Sequence, residues 1–266
     1  MSNAPDLTRA VAILTENDPP RVWSFIVTVF GDLAQREGDA LSGRLLARMA
    51  DVAGLRPETV RVALHRLRKD GWIDSHRVGR RSDYTLTAFG RAQSAAAAPR
   101  IYSDRAPETK EWTVLLANPS EPAAALAEVA NRTNAVLLGD AALLVPNSVD
   151  EIDNGLLCIR SGEVDIPDWV RALAGPEEIK IAYRGLHGRL QRAEPLLPDR
   201  DTSLVGATTR VLIVHSWRRV LLRHPDLPAA LLPEDWPGEQ CRRVVADLLS
   251  RLPRPVLDTL ETLAAD

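Results

Sequence analysis

Between residues 21 and 34 the sequence RVWSFIVTVFGDLA sets apolar side chains at Val22, Phe25, Ile26, Val29, Phe30 and Leu33. Steps of three and four place all six on one face of a helix. A second stripe, Leu45, Met49 and Val52, follows Ser42, a residue suited to cap a helix N-terminus, and ends at Gly54. A third helix is predicted over 57–70, with Pro57 in its first turn and Gly71 as its stop. Val60, Leu64 and Leu67 face the core, which leaves Thr59, Arg61, Val62, His65, Arg66 and Lys69 facing out. Trp72-Ile73-Asp74 and Tyr84-Thr85-Leu86-Thr87 read as two short antiparallel strands. The hairpin tip between them, 76–82, has Gly79 at its turn.

Helix, short glycine-bearing turn, helix and hairpin together make the layout of a winged helix-turn-helix. At 1.5 Å per residue the third helix is about 21 Å long, enough to lie in a DNA major groove. The pattern then changes. Residues 91–110 contain the alanine run Ala95–Ala98 with Pro99 and Pro107, and read as the end of a helix and a linker. Strands are expected at 112–117 and 156–160, helices at 119–131 and 167–174, and a hairpin over 135–145 turning at Gly139-Asp140. That order suits a ferredoxin-like layout. From about Pro176 the sequence is helical, with one long and largely buried helix over 204–223. The expected class is α+β in three domains and a linker: an N-terminal winged helix over 1–92, a linker over 93–110, a ferredoxin-like middle domain over 111–175 and a C-terminal helical domain over 176–266.

Charge sharpens this division. The whole chain of 266 residues carries a formal net charge of −3, yet residues 21–100 hold 14 Arg/Lys against 8 Asp/Glu. Residues 56–81 alone hold eight against three. Basic charge on a helix followed by a basic hairpin is the footprint of phosphate contact, through which Arg and Lys gain affinity by counterion release. On the helix, Thr59, Arg61, His65 and Arg66 are the candidates to reach base edges; on the hairpin, Arg77, Arg80, Arg81, Ser82 and Tyr84 are the candidates for backbone or minor groove. Exposed arginines on a helical hairpin also occur in proteins that never touch DNA, so a winged helix used for protein contacts is the competing reading.

Other chemistry is thinly represented. Two cysteines, Cys158 and Cys241, stand 83 positions apart, and the five histidines form no ligand spacing, so neither a metal site nor a disulfide framework is expected. No nucleophile elbow, phosphate-binding loop or dinucleotide fingerprint occurs; no enzyme and no cofactor are expected. No apolar run approaches the ~20 residues of a membrane span. The N-terminus lacks the basic start of a secretory signal, and a cytoplasmic protein is expected.

The residues Phe30-Gly31-Asp32, Thr59-Val60-Arg61, Arg66-Leu67, Gly71-Trp72, Gly79-Arg80-Arg81-Ser82 with Tyr84, Leu86-Thr87, Gly90-Arg91 and Arg100-Ile101-Tyr102 resemble the PaaX family of bacterial repressors. A second block is similar as well: His215, Arg218-Arg219, Leu221-Leu222-Arg223, Pro225, Leu227-Pro228, Leu231-Leu232-Pro233 and Trp236-Pro237. The resemblance implies a transcriptional repressor of double-stranded DNA operators, released by a coenzyme A thioester, phenylacetyl-CoA in the best-known cases; for a DNA-binding regulator a homodimer would match a palindromic operator. For such an effector Arg218, Arg219 and Arg223, with His215 on the same stripe, would meet phosphates, and Trp217 or Trp236 would form an apolar wall. Pairing of these arginines with Asp226, Glu234 or Asp235 is the structural alternative. The resemblance also implies a middle domain similar to small CRISPR-associated endonucleases. Those carry an aspartate after the first strand, where this chain has Asn118, so a metal-dependent nuclease is the weaker alternative.

Overall fold

A computed structural model describes residues 4–16, 18–79, 81–105, 112–118, 126, 135–138, 142–146, 156–160 and 165–265. These combine helices with two small antiparallel sheets, an α+β chain. They group into two units: residues 1–102, 186–219 and 243–266 form the first, and residues 103–185 and 220–242 the second. The grouping differs from the serial division expected, because much of the C-terminal helical segment joins the N-terminal one.

In the first unit, α1 (Ala4–Thr15) and α2 (Val22–Leu33) precede a two-residue strand β1 (Leu41–Ser42). Ser42 caps α3 (Gly43–Val52): its hydroxyl accepts from Leu45 N–H at 3.0 Å. Gly54 follows with φ +72°, a left-handed conformation that costs glycine nothing and ends the helix. Next, α4 (Pro57–Lys69) packs on α2 and α3 through Val60, Leu64 and Leu67, all buried. Strands β2 (Ile73–Val78) and β3 (Arg81–Leu86) form the hairpin, turning at Gly79 with φ +63°. They run longer than the sequence suggests, in the register Ile73↔Leu86 to Val78↔Arg81. On its other edge β3 pairs with β1, giving the order β1-β3-β2.

One expectation here fails. Helix α5 (Ala88–Tyr102) runs straight through the alanine run and Pro99, so residues 93–102 are helix rather than linker. Proline removes one N–H near the end of a helix whose alanines otherwise favour it. The first unit also takes the N-terminal part of α8 (Leu204–Leu221) and a C-terminal helix α10 (Leu257–Ala265) that packs on α3 and β1. Glu261 on α10 accepts the Ser42 backbone N–H at 2.7 Å.

The second unit holds a four-stranded sheet of β4 (Trp112–Ala117), β5 (Val136–Leu137), β6 (Ala142–Pro146) and β7 (Leu156–Arg160), in the order β5-β6-β4-β7 with every pair antiparallel. One core cluster joins Leu115 and Ala117 to Leu126. Another joins Leu144 to Ala174, Leu227 and Leu231. Ala174 ends α6 (Asp168–Ala174). Of the helix expected over 119–131 only Leu126 is described, and it is helical; the Gly139-Asp140 turn lies outside the described residues. Helix α7 (Glu177–Ala193), α8 and α9 (Gly238–Arg251) each divide their residues between the two units. Because α8 stops at Leu221, Arg223 falls beyond it and not on its stripe.

Candidate functional site

Helix α4 presents two faces. Val60, Ala63, Leu64 and Leu67 are buried, whereas Thr59, Arg61, Val62, His65, Arg66, Arg68 and Lys69 are exposed. Val62, 70% exposed, puts an apolar spot among the cations, the kind of group that can meet a thymine methyl. The Thr59 hydroxyl is already committed, donating to Arg56 O at 2.5 Å. Arg66 lies 3.5 Å from Asp70, a solvent-exposed pair of small worth.

The hairpin tip carries further charge. Arg77 donates from Nε to Gly79 O at 3.3 Å and is otherwise exposed. Ser82 is exposed at the start of β3. Arg81 reaches back to the Asp83 carboxylate at 3.0 Å while staying largely exposed. Arg80 lies outside the described residues. Tyr84 is placed differently from the others. Half-buried, it pairs by backbone with Leu41 and Ser75, and its ring faces Gly43 at the start of α3, so it supports the hairpin base and not the tip.

The residues assigned to an effector divide between the two units. His215, Trp217, Arg218 and Arg219 belong to the first unit, Arg223 and Trp236 to the second. Trp217 is 1% exposed and donates its indole N–H to Ile101 O at 3.0 Å. It is therefore a core side chain and offers no wall to a ligand. Arg219 binds Asp18 at 2.8 Å. Arg218 donates to the Thr28 hydroxyl at 2.9 Å. That hydroxyl in turn donates to Ser24 O at 2.8 Å, so the neighbouring His215 Nδ1, 3.3 Å away, must be the donor to it. His215 is then the neutral Nδ1–H tautomer, and its bare Nε2 is buried without a hydrogen-bond partner among the described residues. Burial, aided by the Arg219 and Arg218 guanidiniums, pushes its pKa down to about 4. In the second unit Trp236 packs edge-on to Tyr183 and against His224, and Arg223 is exposed.

Sequence reasoning missed a buried ionic centre of the first unit. Asp32, whose side chain is fully buried, receives Arg210 through two bonds of 2.8 and 3.0 Å, Arg254 at 3.1 Å and the Tyr102 hydroxyl at 2.8 Å. Arg254 also lies over the Tyr102 ring. Burial and the neighbouring carboxylate hold the Tyr102 hydroxyl in its protonated, donating form. The available signal was Arg210 itself, a lone cation within the apolar run of α8 that must find a buried partner.

Among the described residues no group of three His, Cys, Asp or Glu side chains is arranged to hold a metal ion, and no helix is long and apolar enough to cross a membrane.

These features can be set beside known proteins. The chain is 28% identical to the transcriptional repressor PaaX of Escherichia coli (strain K12) over 255 residues, covering 86% of this chain and 79% of that one. The fold is similar to that of the uncharacterized protein Rv0674 from Mycobacterium tuberculosis, with a TM-score of 0.54 and 18% identity, covering 89% of this chain and 95% of the other. Residues 21–90 match the family described as PaaX-like protein, and residues 176–260 match its C-terminal domain. Those two matches span more than half of the chain and take in α4, its hairpin and α8, so the chain belongs to the PaaX-like protein family.

Proposed function

We propose that this protein is a bacterial transcriptional regulator that binds double-stranded DNA through a winged helix-turn-helix over residues 1–92. The observation that carries the reading is the union of two basic surfaces in one unit: the exposed face of α4 and the arginine-bearing tip of the β2–β3 hairpin. Helix α4 reads base edges in the major groove with Arg61, His65 and Arg66, and Val62 alongside. Arg77, Arg80, Arg81 and Ser82 hold the sugar-phosphate backbone, setting register without reading sequence. Thr59, with its hydroxyl turned to Arg56, contributes its methyl group or a backbone contact.

Repression is the regulatory sense, by kinship with the E. coli repressor. The middle segment is a ferredoxin-like domain, supported by its strand order, in which the first strand lies between the third and the fourth. It serves assembly: edge strand β7 exposes Leu157 and Ile159 on one face, a surface suited to a second copy, and a homodimer fits a palindromic operator. An acyl-CoA-type effector such as phenylacetyl-CoA, the class implied by the family resemblance, releases the DNA by favouring a state that binds it poorly.

The test is a fluorescence-anisotropy titration of the full chain with DNA from upstream of its own gene, at several salt concentrations. A linear fall of log affinity with log salt and a preference for that DNA over random sequence are expected. No binding at low salt overturns the reading; salt-insensitive binding to protein partners instead would favour an interaction module. Calorimetry with phenylacetyl-CoA, followed by release of bound DNA, tests the effector separately.

A further inference from the structure

Arg218 is the cation the ionic network leaves over. Its Nη1 serves the Thr28 hydroxyl and, at 3.5 Å, Ser24 O, both on α2. Among the described residues no carboxylate lies within ion-pair distance of it, in contrast with Arg219, Arg210 and Arg254. Burial lowers its pKa, and the Tyr102 hydroxyl offsets this only in part. A half-buried guanidinium with three N–H donors that meet no acceptor among the described residues is an unfinished anion site.

The side chain lines a small cavity of about 40 Å³ that opens to solvent on one side. The rest of the lining is mostly apolar: Val27, Val214, Ile101 and the small residues Ala97 and Ala98. Gly31 and Ser94 complete one side, where a methyl group on Gly31 would come within 3.7 Å of the Ser94 hydroxyl. The alanine run of α5, which the sequence suggests is a linker, is thus the wall that keeps this space open. Asp32 and Tyr102 also border it, but both are saturated by their own network. Thr28 and Gln93 line it too, as does Trp72, which joins the end of α4 to the start of β2 and packs edge-on between Trp23 and Phe89, with ring centroids 5.6 and 5.5 Å away.

We propose that this cavity binds a small organic carboxylate, with its anionic head on Arg218 and its short apolar body against Val27, Ala97, Ala98 and Val214, and that Trp72 transmits occupancy to α4 and the hairpin. A whole CoA thioester does not fit a space of this size, so the site stands apart from the effector proposed above. The transmission step rests on the DNA-binding reading; the site itself does not.

The experiment uses the full chain without DNA first. Acetate, propionate and butyrate are titrated at constant ionic strength, with propionamide, butyramide and inorganic phosphate as controls, following the melting temperature and tryptophan fluorescence. The carboxylates are expected to raise the melting temperature and change the fluorescence while the amides do not. Arg218→Gln should weaken binding roughly tenfold or more, the scale of a lost charge-assisted hydrogen bond, with Arg218→Lys in between. Ala97→Leu fills the cavity, keeps the guanidinium and should abolish binding, and its unliganded melting curve reports whether it folds. Trp72→Phe should remove the fluorescence change and keep the thermal shift. Equal binding of acids and amides, binding unaffected by Arg218→Gln, binding of phosphate alone, or no binding by any probe overturns the site. A carboxylate that binds yet leaves affinity for upstream DNA unchanged, in a protein shown to bind that DNA, overturns the transmission.

Discussion

Two sets of arginines in the first unit behave oppositely. Around α2 and α8, Arg210 and Arg254 converge on one fully buried carboxylate, and Arg219 takes Asp18. On α4 and its hairpin, Arg61, Arg66, Arg77 and Arg81 point to solvent, with at most a weak partner close by in sequence. The residue type is the same, so the difference lies in what each guanidinium displaced. An arginine taken out of water needs a counter-charge to offset several kcal/mol of lost hydration. One left in water needs none, and stays available to a phosphate or a base edge. The first, inner set is therefore committed within the fold, Arg210 wholly and Arg219 and Arg254 in part, and the outer set keeps its donors available.

The comparison is tested most severely at Asp32. Asp32→Asn leaves Arg210 buried without its counter-charge, and stability should fall by about 3–5 kcal/mol. Chemical denaturation measures this directly. Adding Arg210→Met to Asp32→Asn should recover part of the loss, since the buried charge left uncompensated is then removed. If Asp32→Asn melts like the native protein, the buried set is not structural and the contrast fails.

His215 provides the next effect in size. Its folded pKa of about 4 lies below the ordinary value of about 6.5. The unfolded chain therefore takes up a proton first, and protonation favours unfolding. Stability is undiminished above about pH 6.5 and declines as pH falls toward 4, by up to about 3 kcal/mol from this residue. Carboxylates also titrate near the lower end, so the informative quantity is the difference between the native protein and His215→Gln. That difference should shrink steadily over the same window in thermal melts; a constant gap would mean that His215 does not stay neutral on folding.

The outer set was largely legible in the sequence, and the inner set was not. Val60, Leu64 and Leu67 define a face by spacing alone, and the same spacing leaves Arg61, His65 and Arg66 outside. Gly54 and Gly79 mark their turns because few other residues hold a positive φ. The Asp32–Arg210 and Asp32–Arg254 pairs span 178 and 222 positions, and no local period encodes such a meeting. The same holds for β1, too short to show alternation, and for Glu261 of α10 reaching Ser42. Helix α5 was misread for a different reason. An alanine run with Pro99 matches a linker by composition, yet alanine favours helix and the proline removes only one backbone bond. Trp217 shows the limit of residue type as a guide, since the same ring serves a ligand wall and a core equally well.

Among the outer residues Arg61 should matter most. Arg61→Ala is expected to cost about 1–3 kcal/mol on the preferred DNA and little on random DNA, so that discrimination narrows. Competition titrations against substituted operators check it. An equal loss on both kinds of DNA would move Arg61 from reading bases to holding phosphates.

The smallest effect concerns the tip, and it separates two roles that geometry alone allows for Arg81. Arg81 shares its charge with Asp83, which is mostly buried. As a phosphate ligand, Arg81 is weakened by that neighbour. As a mere partner of Asp83, it has no part in binding. Asp83→Asn distinguishes the two, because it preserves the side-chain shape and removes the competing charge. In the first case affinity for all DNA rises by a factor of a few, within the ~0.2–1 kcal/mol typical of an exposed pair. The salt dependence also steepens toward one additional counterion released, and Arg81→Ala reverses both changes. In the second case neither affinity nor slope responds to Asp83→Asn, and Arg81→Ala changes only the melting temperature. Arg77→Ala is the reference for the comparison. Arg77 has no carboxylate within ion-pair distance among the described residues, so its loss should lower the salt slope by about one if the tip lies on the backbone at all.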